Sequence, residues 1–139
     1  MKMKYLSYYT QKAQTEALNK AGAFFAFGQK QFDDQKKEGV KYTALHGGLI
    51  CPSKNVDQLL SDLDRALENG IRQDVQENGF NAIVRREYFN HETQISMDTT
   101  DVMGKLDPYK KMYPDQFTDQ AIQEAFKRCW NIAVKEDLF

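Results

Sequence analysis

The chain has 139 residues, of which 41% are hydrophobic, 12% aromatic and 28% charged, and its formal net charge is −1. This composition excludes an intrinsically disordered chain, and the length suits a domain that buries its own core. A near-neutral charge argues against a strongly basic nucleic-acid-binding domain and against a strongly acidic DNA mimic. We therefore expect one globular domain over residues 1–139.

Cysteine usage and the longest apolar run bear on where such a protein resides. Cys51 and Cys129 each stand among apolar residues, which is typical of buried free thiols in a reducing compartment. Segment 1–9 lacks the apolar stretch of a signal peptide, and the run 23–27 is too short to span a membrane. These features predict a cytoplasmic protein that does not associate with membranes. No metal-binding or nucleotide-binding signature stands out in the sequence, so we expect no cofactor.

The segment after the N-terminal tyrosines predicts a helix. Thr10 is a suitable N-cap, the helix runs to about Lys20, and Gly22 ends it. The apolar run 23–27 fits either a buried strand or a continuation of this helix. We favour a break at Gly22 followed by a short strand.

The next segment predicts a second helix and a second strand. The helix covers 29–37 and buries Phe32, and the strand covers 41–45. Gly47 and Gly48 then form a turn in which the backbone adopts positive φ. Together with the first strand, this gives a minor two-stranded β element.

The clearest helix begins near residue 56. Asn55 is a suitable N-cap, and apolar residues recur on one helical face. Asn69-Gly70 is expected to bend or briefly end this helix, and Asn78-Gly79 is expected to end it. The predicted buried face consists of Val56, Leu59, Leu60, Leu63, Ala66, Leu67, Ile71 and Val75.

Further helices follow in the C-terminal part. One covers 81–90, a weaker one covers 98–106, and Asp107-Pro108 has the form of another helix start. The residues expected to be buried in the first of them are Ile83, Val84 and Tyr88.

The last predicted helix has the strongest cap. Thr118 starts it, and Phe126, Cys129 and Trp130 belong to its buried apolar stripe. The whole pattern predicts a mainly α-helical α+β domain with five or six short helices.

The two histidines are the first candidates for a chemical site. His91-Glu92 begins like the zinc-protease motif H-E-x-x-H, but the second histidine is missing. His46 and His91 with one carboxylate from Glu92, Asp98 or Asp101 would still suffice for zinc or iron. Because nothing in the sequence brings the two histidines together, we favour the interpretation that each of them satisfies local hydrogen bonds or faces solvent.

The segment 85–92 concentrates polar groups that could meet one ligand or partner. On a helix, Arg86 and Asn90 lie one turn apart, as do Glu87 and His91. The alternative is an ordinary lattice of helical ion pairs. The contact residues that we predict are Arg85, Arg86, Asn90, His91 and Glu92, with Tyr8 and Tyr9 of the lysine-interleaved N-terminus as lesser candidates.

Several motifs also occur together in a particular order. They are Phe24-Phe25-Ala26-Phe27, Gln31-Phe32, Lys41-Tyr42, Gly48, Cys51-Pro52, Asn78-Gly79, Arg86-Glu87 and Asn90-His91-Glu92. Over roughly residues 10–92 their order and spacing resemble a group of small uncharacterised proteins encoded by bacteriophages and other mobile elements. That group has no motif tied to a reaction, so the resemblance implies no catalytic residue. It implies a setting in which small accessory proteins bind a host protein or a nucleotide signal, often to block an immune system.

We therefore expect a non-enzymatic binding protein of phage or mobile-element origin, with an anti-CRISPR-like counter-defence role and a host protein as its partner. One alternative is a nucleic-acid-binding regulator that uses residues 1–50, which contain eight lysines and four acidic residues. A second is a small metal-dependent or nucleotide-processing enzyme built on the two histidines. A third is an assembly protein that acts as a homo-oligomer.

Overall fold

The computed structural model describes residues 4–139, which form six α-helices and three short β-strands. The chain divides into two compact units. The N-terminal unit contains residues 10–69, and the C-terminal unit contains residues 70–139 together with residues 4–9. Lys2, which belongs to the lysine- and tyrosine-rich terminus, lies outside the described residues. The prediction of a mainly helical α+β chain with five or six helices is confirmed.

Three antiparallel strands form the sheet of the N-terminal unit. β1 (Phe24–Phe25) and β2 (Tyr42–Ala44) both pair with β3 (Leu49–Pro52), which lies between them. The sequence therefore predicts the two edge strands correctly and omits the central one. β3 ends in a proline, which weakens its strand signal, and its pairing with both neighbours defines it as a strand.

A glycine pair connects β2 to β3. Gly47 and Gly48 have φ of 76° and 81°, so the predicted positive-φ turn is confirmed. The carbonyl of Gly48 accepts a 2.9 Å hydrogen bond from the amide of Ala26. A Cβ on Gly48 would lie 2.5 Å from the ring of Phe27, which stacks on Phe25 with centroids 6.4 Å apart. Glycine is thus required at position 48 for two reasons: φ is positive there, and a Cβ would clash with the ring of Phe27.

The first helix, α1 (Leu6–Ala21), begins one turn earlier than predicted. Thr10 lies inside the helix and is buried, so the prediction that Thr10 caps it is wrong. The amide of Tyr8 already donates to the carbonyl of Tyr5, which forms the first turn. A capping residue is only a local preference, and the helix extends past it to include the buried Leu6. Gly22, at φ 73°, ends the helix as predicted.

The second helix, α2 (Gln29–Gln35), is slightly shorter than the predicted range 29–37. Its Phe32 is half-buried and packs against Phe24 of β1 and Tyr42 of β2, with ring centroids 6.2 and 5.6 Å away. This aromatic cluster attaches α2 to the sheet.

The third helix, α3 (Val56–Asn90), contributes residues to both units. The predicted brief end of the helix at Asn69-Gly70 is wrong because the helix continues through the buried Gly70. One glycine costs only about 1 kcal/mol relative to alanine, and burial of neighbours such as Ile71 offsets it. Leu60, predicted to be buried, is 46% exposed. The side-chain amide of Asn55 donates to the carbonyl of Ala21 at 2.9 Å, which attaches the start of α3 to the end of α1.

The core of the N-terminal unit joins α1, the sheet and the start of α3. Its buried members are Ala17, Ala21, Leu49, Cys51 and Leu59. Cys51 is a buried free thiol, as predicted, and burial raises its pKa.

A backbone interruption divides α3 at Gly79, whose φ of 79° and ψ of 171° are not helical. The prediction that the helix ends at Asn78-Gly79 is therefore confirmed, as is the new helical start just after it. In the second half, Ile83, Val84 and Tyr88 are buried as predicted.

Two shorter helices follow, α4 (Thr93–Ser96) and α5 (Thr100–Met112). Pro108 lies inside α5, so the prediction that Asp107-Pro108 starts a helix is wrong. The helix already begins at Thr100, whose amide donates to the carboxylate of Asp98 at 2.9 Å. A proline near a helix start and a proline within a helix look alike over a few residues, and only the longer pattern separates them.

The last helix is α6 (Asp119–Glu136), and its predicted cap is confirmed because Thr118 Oγ1 accepts from the amide of Ala121 at 3.1 Å. The predicted burial of Trp130 is wrong: the side chain is 36% exposed and stacks edge-on against Phe139. On a helical projection Trp130 stands roughly 80° from Ile122, at the edge of the apolar stripe.

The core of the C-terminal unit is larger and more aromatic. Phe117 contacts both Phe80 and Tyr109, with ring centroids 5.0 and 5.3 Å away. Tyr88 packs on Phe126 at 5.5 Å. No helix within residues 4–139 combines the length and the apolar character that crossing a membrane requires.

Candidate functional site

A fully buried ion pair lies within the C-terminal unit. The Nη1 and Nη2 atoms of Arg86 each lie 2.9 Å from a carboxylate oxygen of Asp74, so the pair is bidentate. Both side chains are at most 1% exposed. Two parallel charge-assisted hydrogen bonds of this kind fix orientation as well as distance.

The break at Gly79 makes this pairing possible. Asp74 and Arg86 are 12 residues apart in the chain. In an unbroken helix, 12 residues would separate them by about 18 Å along the axis, which is beyond the reach of the two side chains. The non-helical backbone at Gly79 turns the second half of α3 back so that the side chains meet.

Two further residues complete the surroundings of the guanidinium. Arg86 Nε donates to Glu87 Oε2 at 2.5 Å, and the hydroxyl of Tyr109 donates to Asp74 Oδ2 at 2.5 Å. Burial opposes the charge of the guanidinium, but hydrogen bonds to Asp74 and Glu87 outweigh it and raise the pKa of Arg86. Burial, reinforced by the hydrogen bond to Asp74, also raises the pKa of Tyr109 well above its ordinary value. We call these four residues the Asp74–Arg86 network.

The network continues toward the start of α1. The carbonyl of Lys4 accepts from Arg86 Nη1 at 3.1 Å, and the ammonium group of Lys4 pairs with Glu77 at 3.2 Å. Asn78 donates both to Asp74 at 2.8 Å and to the hydroxyl of Tyr9 at 3.0 Å. The first turn of α1 is thereby connected to the buried ion pair.

A surface pocket of about 350 Å³ lies directly above Arg86. Its lining residues are Tyr5, Arg85, Arg86, Phe89, Asn90 and Glu92. Tyr5 is 43% exposed, and its ring lies 5.8 Å from the guanidinium carbon of Arg86. We call this surface the Tyr5–Arg85 pocket. It offers one exposed guanidinium, an amide, a carboxylate and two aromatic rings.

The pocket brings together four of the seven predicted contact residues, namely Arg85, Arg86, Asn90 and Glu92. The exposed ones are Arg85, Asn90 and Glu92, whereas Arg86 is 3% exposed and committed to its two carboxylates. Arg86 therefore acts as support beneath the pocket and is not available as a free cation.

The other three predicted residues lie outside the pocket lining. His91 is half-buried, and its Nε2 stands 3.7 Å from Glu87 Oε1, which is longer than a hydrogen bond. Tyr8 is 61% exposed and lies under the Lys4 ammonium at 4.5 Å. Tyr9 is half-buried, and its hydroxyl accepts a hydrogen bond from Asn78.

A metal site on the histidines is not formed by the described residues. Within residues 4–139, no group of three or more His, Cys, Asp or Glu side chains is arranged to hold a metal ion. His46 is exposed in the short turn before β3. His91 lies beside one carboxylate at ion-pair distance among residues 4–139, that of Glu87.

Sequence reasoning did not include Asp74, Phe89 or Tyr109 in the site. Asp74 had a usable signal, because it follows Ile71 by three residues on the face that the apolar pattern predicts to be buried. A carboxylate on a buried face requires a buried partner. The sequence gives no comparable signal for Tyr109, whose hydroxyl reaches Asp74 from a different helix.

The ionic groups of the Asp74–Arg86 network are buried, whereas Tyr5 and Arg85 of the pocket are exposed. Tyrosine and arginine are residue types that are enriched at binding surfaces. No curated protein and no solved structure matches the chain. Residues 6–132 match a family of unknown function, DUF7659. Because this match spans most of the sequence, the chain belongs to the DUF7659 family.

Proposed function

We propose that this chain is a non-enzymatic binding protein that contacts a partner protein through the Tyr5–Arg85 pocket and the adjoining Tyr8. The observation that carries the proposal is the pocket itself, in which exposed Arg85, Asn90 and Glu92 stand beside a partly exposed tyrosine. Tyrosine and arginine are enriched at interface hot spots because they combine large contact area with directional hydrogen bonds.

The support beneath the pocket favours the same function. Arg86, held by Asp74 and Glu87, lies under the pocket and also holds the backbone of Lys4. A preorganised surface loses little conformational entropy when a partner binds. The network thus contributes to recognition by keeping the pocket in one conformation.

Site-specific photo-crosslinking in cells tests the proposal. A photoreactive phenylalanine analogue at Tyr8 is expected to give one discrete adduct, which mass spectrometry can identify. Combining it with Arg85→Ala and Asn90→Ala should abolish the adduct, whereas Lys105→Ala, an exposed change on α5, should preserve it. An adduct that persists without Arg85 and Asn90, or the absence of any discrete adduct, contradicts the proposal.

We propose counter-defence as the biological role of this binding protein. It rests on the resemblance to proteins of phages and mobile elements, and the expected partner is a component of a host immune system. Expression of the chain in a host that restricts a phage should raise the plating efficiency of that phage, and the Arg85→Ala, Asn90→Ala variant should not raise it. Equal plating with and without the chain removes this role.

A further inference from the structure

A second concave surface lies elsewhere on the C-terminal unit, along one face of α6. It is an open groove of about 420 Å³, and none of its lining residues belongs to the Tyr5–Arg85 pocket. This volume lies in the range of about 300–1,000 Å³ that is usual for small-molecule sites.

The walls of the groove are aromatic and aliphatic. Phe126 and Trp130 stand one turn apart on α6, Tyr88 of α3 packs on Phe126, and Met97 borders the opening. Trp130 is 36% exposed and Met97 is 65% exposed, so the apolar surface is accessible to a ligand. Such walls favour a flat or flexible hydrocarbon group.

One buried polar group in the groove has no partner within the described chain. Thr93 lines the groove and is 2% exposed, and its Oγ1 atom makes no hydrogen bond to any residue of 4–139. Buried hydroxyls in native proteins nearly always have a partner. The unpartnered hydroxyl of Thr93 therefore points to a polar ligand atom.

The only charge on the lining residues is positive. Lys127 stands next to Phe126 on α6, and the other lining residues are neutral. None of the ion pairs found among residues 4–139 involves Lys127. A carboxylate can accept hydrogen bonds from both an ammonium group and a hydroxyl.

We propose that this groove is a binding site for a small amphipathic carboxylate, a molecule with a hydrocarbon body and one carboxylate head. The hydrocarbon body packs between Trp130, Phe126 and Met97. The carboxylate head is held by Lys127 and Thr93. This site is independent of the partner surface around Arg85, so either proposal can fail without the other.

The chain carries a built-in reporter for the test, because its single tryptophan, Trp130, lines the groove. The full chain is titrated with decanoate, decanamide and decylammonium below their micellar concentrations, with tryptophan fluorescence and calorimetry as readouts. Decanoate is expected to change the emission saturably and to bind about two- to fivefold more tightly than decanamide, since an ion pair at an open site has roughly this effect. Decylammonium is expected to bind more weakly than both.

Three variants assign the head group. Lys127→Gln should reduce decanoate affinity about two- to fivefold and leave decanamide affinity unchanged, because only the charge is lost. Lys135→Gln, on the same helix but outside the groove, should change neither. Thr93→Val should weaken decanoate binding without lowering the unfolding temperature, because the hydroxyl that it removes has no protein partner.

Other outcomes overturn the proposal. Equal affinity for decanoate and decanamide would show that the groove takes hydrocarbon without regard to charge. Decanoate affinity that is unaffected by Lys127→Gln, or a fluorescence change that never saturates, would exclude a carboxylate site here. A loss of folding stability in Thr93→Val would show that the hydroxyl has a structural role.

Discussion

The guanidinium of Arg86 forms two 2.9 Å hydrogen bonds with the carboxylate of Asp74, although 12 residues separate them along α3. The pair exists because the backbone at Gly79 leaves the helical conformation. In return, the buried pair holds the two halves of the helix against each other in the C-terminal unit. The backbone break at Gly79 and the ion pair are therefore mutually dependent, so altering either one is expected to destabilise the fold.

Removal of the guanidinium should be strongly destabilising. Arg86→Ala leaves the carboxyl groups of Asp74 and Glu87 buried without their partner, which is expected to lower the free energy of unfolding by about 3–5 kcal/mol. The neighbouring Arg85 is exposed, so Arg85→Ala should change the free energy of unfolding by less than about 0.5 kcal/mol. Urea denaturation of both variants measures the difference, and similar values for the two would refute the buried pair.

Substitution of Gly79 tests the backbone half of the same relationship. Its φ of 79° and ψ of 171° lie in a region that residues with a Cβ rarely adopt. Gly79→Ala is expected to cost about 1–3 kcal/mol in unfolding free energy through this backbone strain, although among residues 4–139 the added Cβ meets no atom beyond the local backbone within 4 Å.

Gly104 supplies the matched control for that experiment. It lies within α5, and its added Cβ likewise meets no atom beyond the local backbone within 4 Å in the part of the chain that the structure describes. Gly104→Ala should stabilise the chain by about 0.5–1 kcal/mol, because alanine is the better helix former. If both changes stabilise the chain, the helix is continuous through Gly79.

Local sequence signals predicted the features that depend on a few neighbouring residues. The cap at Thr118, the glycine stops at Gly22 and Gly79, and the buried positions Ile83 and Val84 all follow from short-range rules. The errors at Thr10 and Pro108 have one cause. In both cases a local start signal was overridden by a helix that extended past it.

The candidate site could be predicted only in part. Arg86 and Asn90 stand one turn apart on α3, so their proximity followed from helical spacing. Glu92 lies beyond the end of α3 with a φ of 51°, so its place in the pocket lining did not follow from that spacing. The pairing of Arg86 with Asp74 depends on the direction of the chain after Gly79, which no periodicity specifies. The same limit applies to Trp130, whose position at the edge of the stripe left its burial to be decided by neighbours in space.

The hydroxyl of Tyr109 provides a milder test of the network. Tyr109→Phe removes the 2.5 Å hydrogen bond to Asp74 and keeps the ring packed on Phe117. Loss of a hydrogen bond to a charged group is expected to lower the unfolding free energy by about 1.5–3 kcal/mol. Tyr113→Phe, on a half-buried tyrosine whose ring also contacts Phe117, is the control and should cost less than about 0.5 kcal/mol.

Alkaline pH should reveal the same residue through its titration. Burial and the hydrogen bond to Asp74 raise the pKa of Tyr109 in the folded chain, whereas an unfolded tyrosine ionises near about 10. The stability that this shift contributes is present below about pH 10 and is lost as the pH rises toward the folded-state pKa. Wild type should therefore lose more unfolding free energy than Tyr109→Phe between about pH 9 and 11. Parallel losses would show that Tyr109 ionises as freely in the folded chain as in the unfolded one.

The glycine turn of the N-terminal unit permits a test that separates backbone strain from contact. Gly47 and Gly48 both have positive φ, but an added Cβ meets the ring of Phe27 only at Gly48. Gly47→Ala should therefore report the strain alone, about 1–2 kcal/mol.

Gly48→Ala should cost more, because the ring of Phe27 must move away and lose its stacking on Phe25. The excess is expected to be about 0.5–1.5 kcal/mol, the usual contribution of an aromatic pair. In a Phe27→Ala background the ring is absent, so Gly48→Ala and Gly47→Ala should become equally destabilising. Thermal unfolding of the five variants closes the cycle. An excess at Gly48 that survives the loss of the Phe27 ring would mean that the strain lies in the backbone pairing with Ala26, whose amide donates to the Gly48 carbonyl.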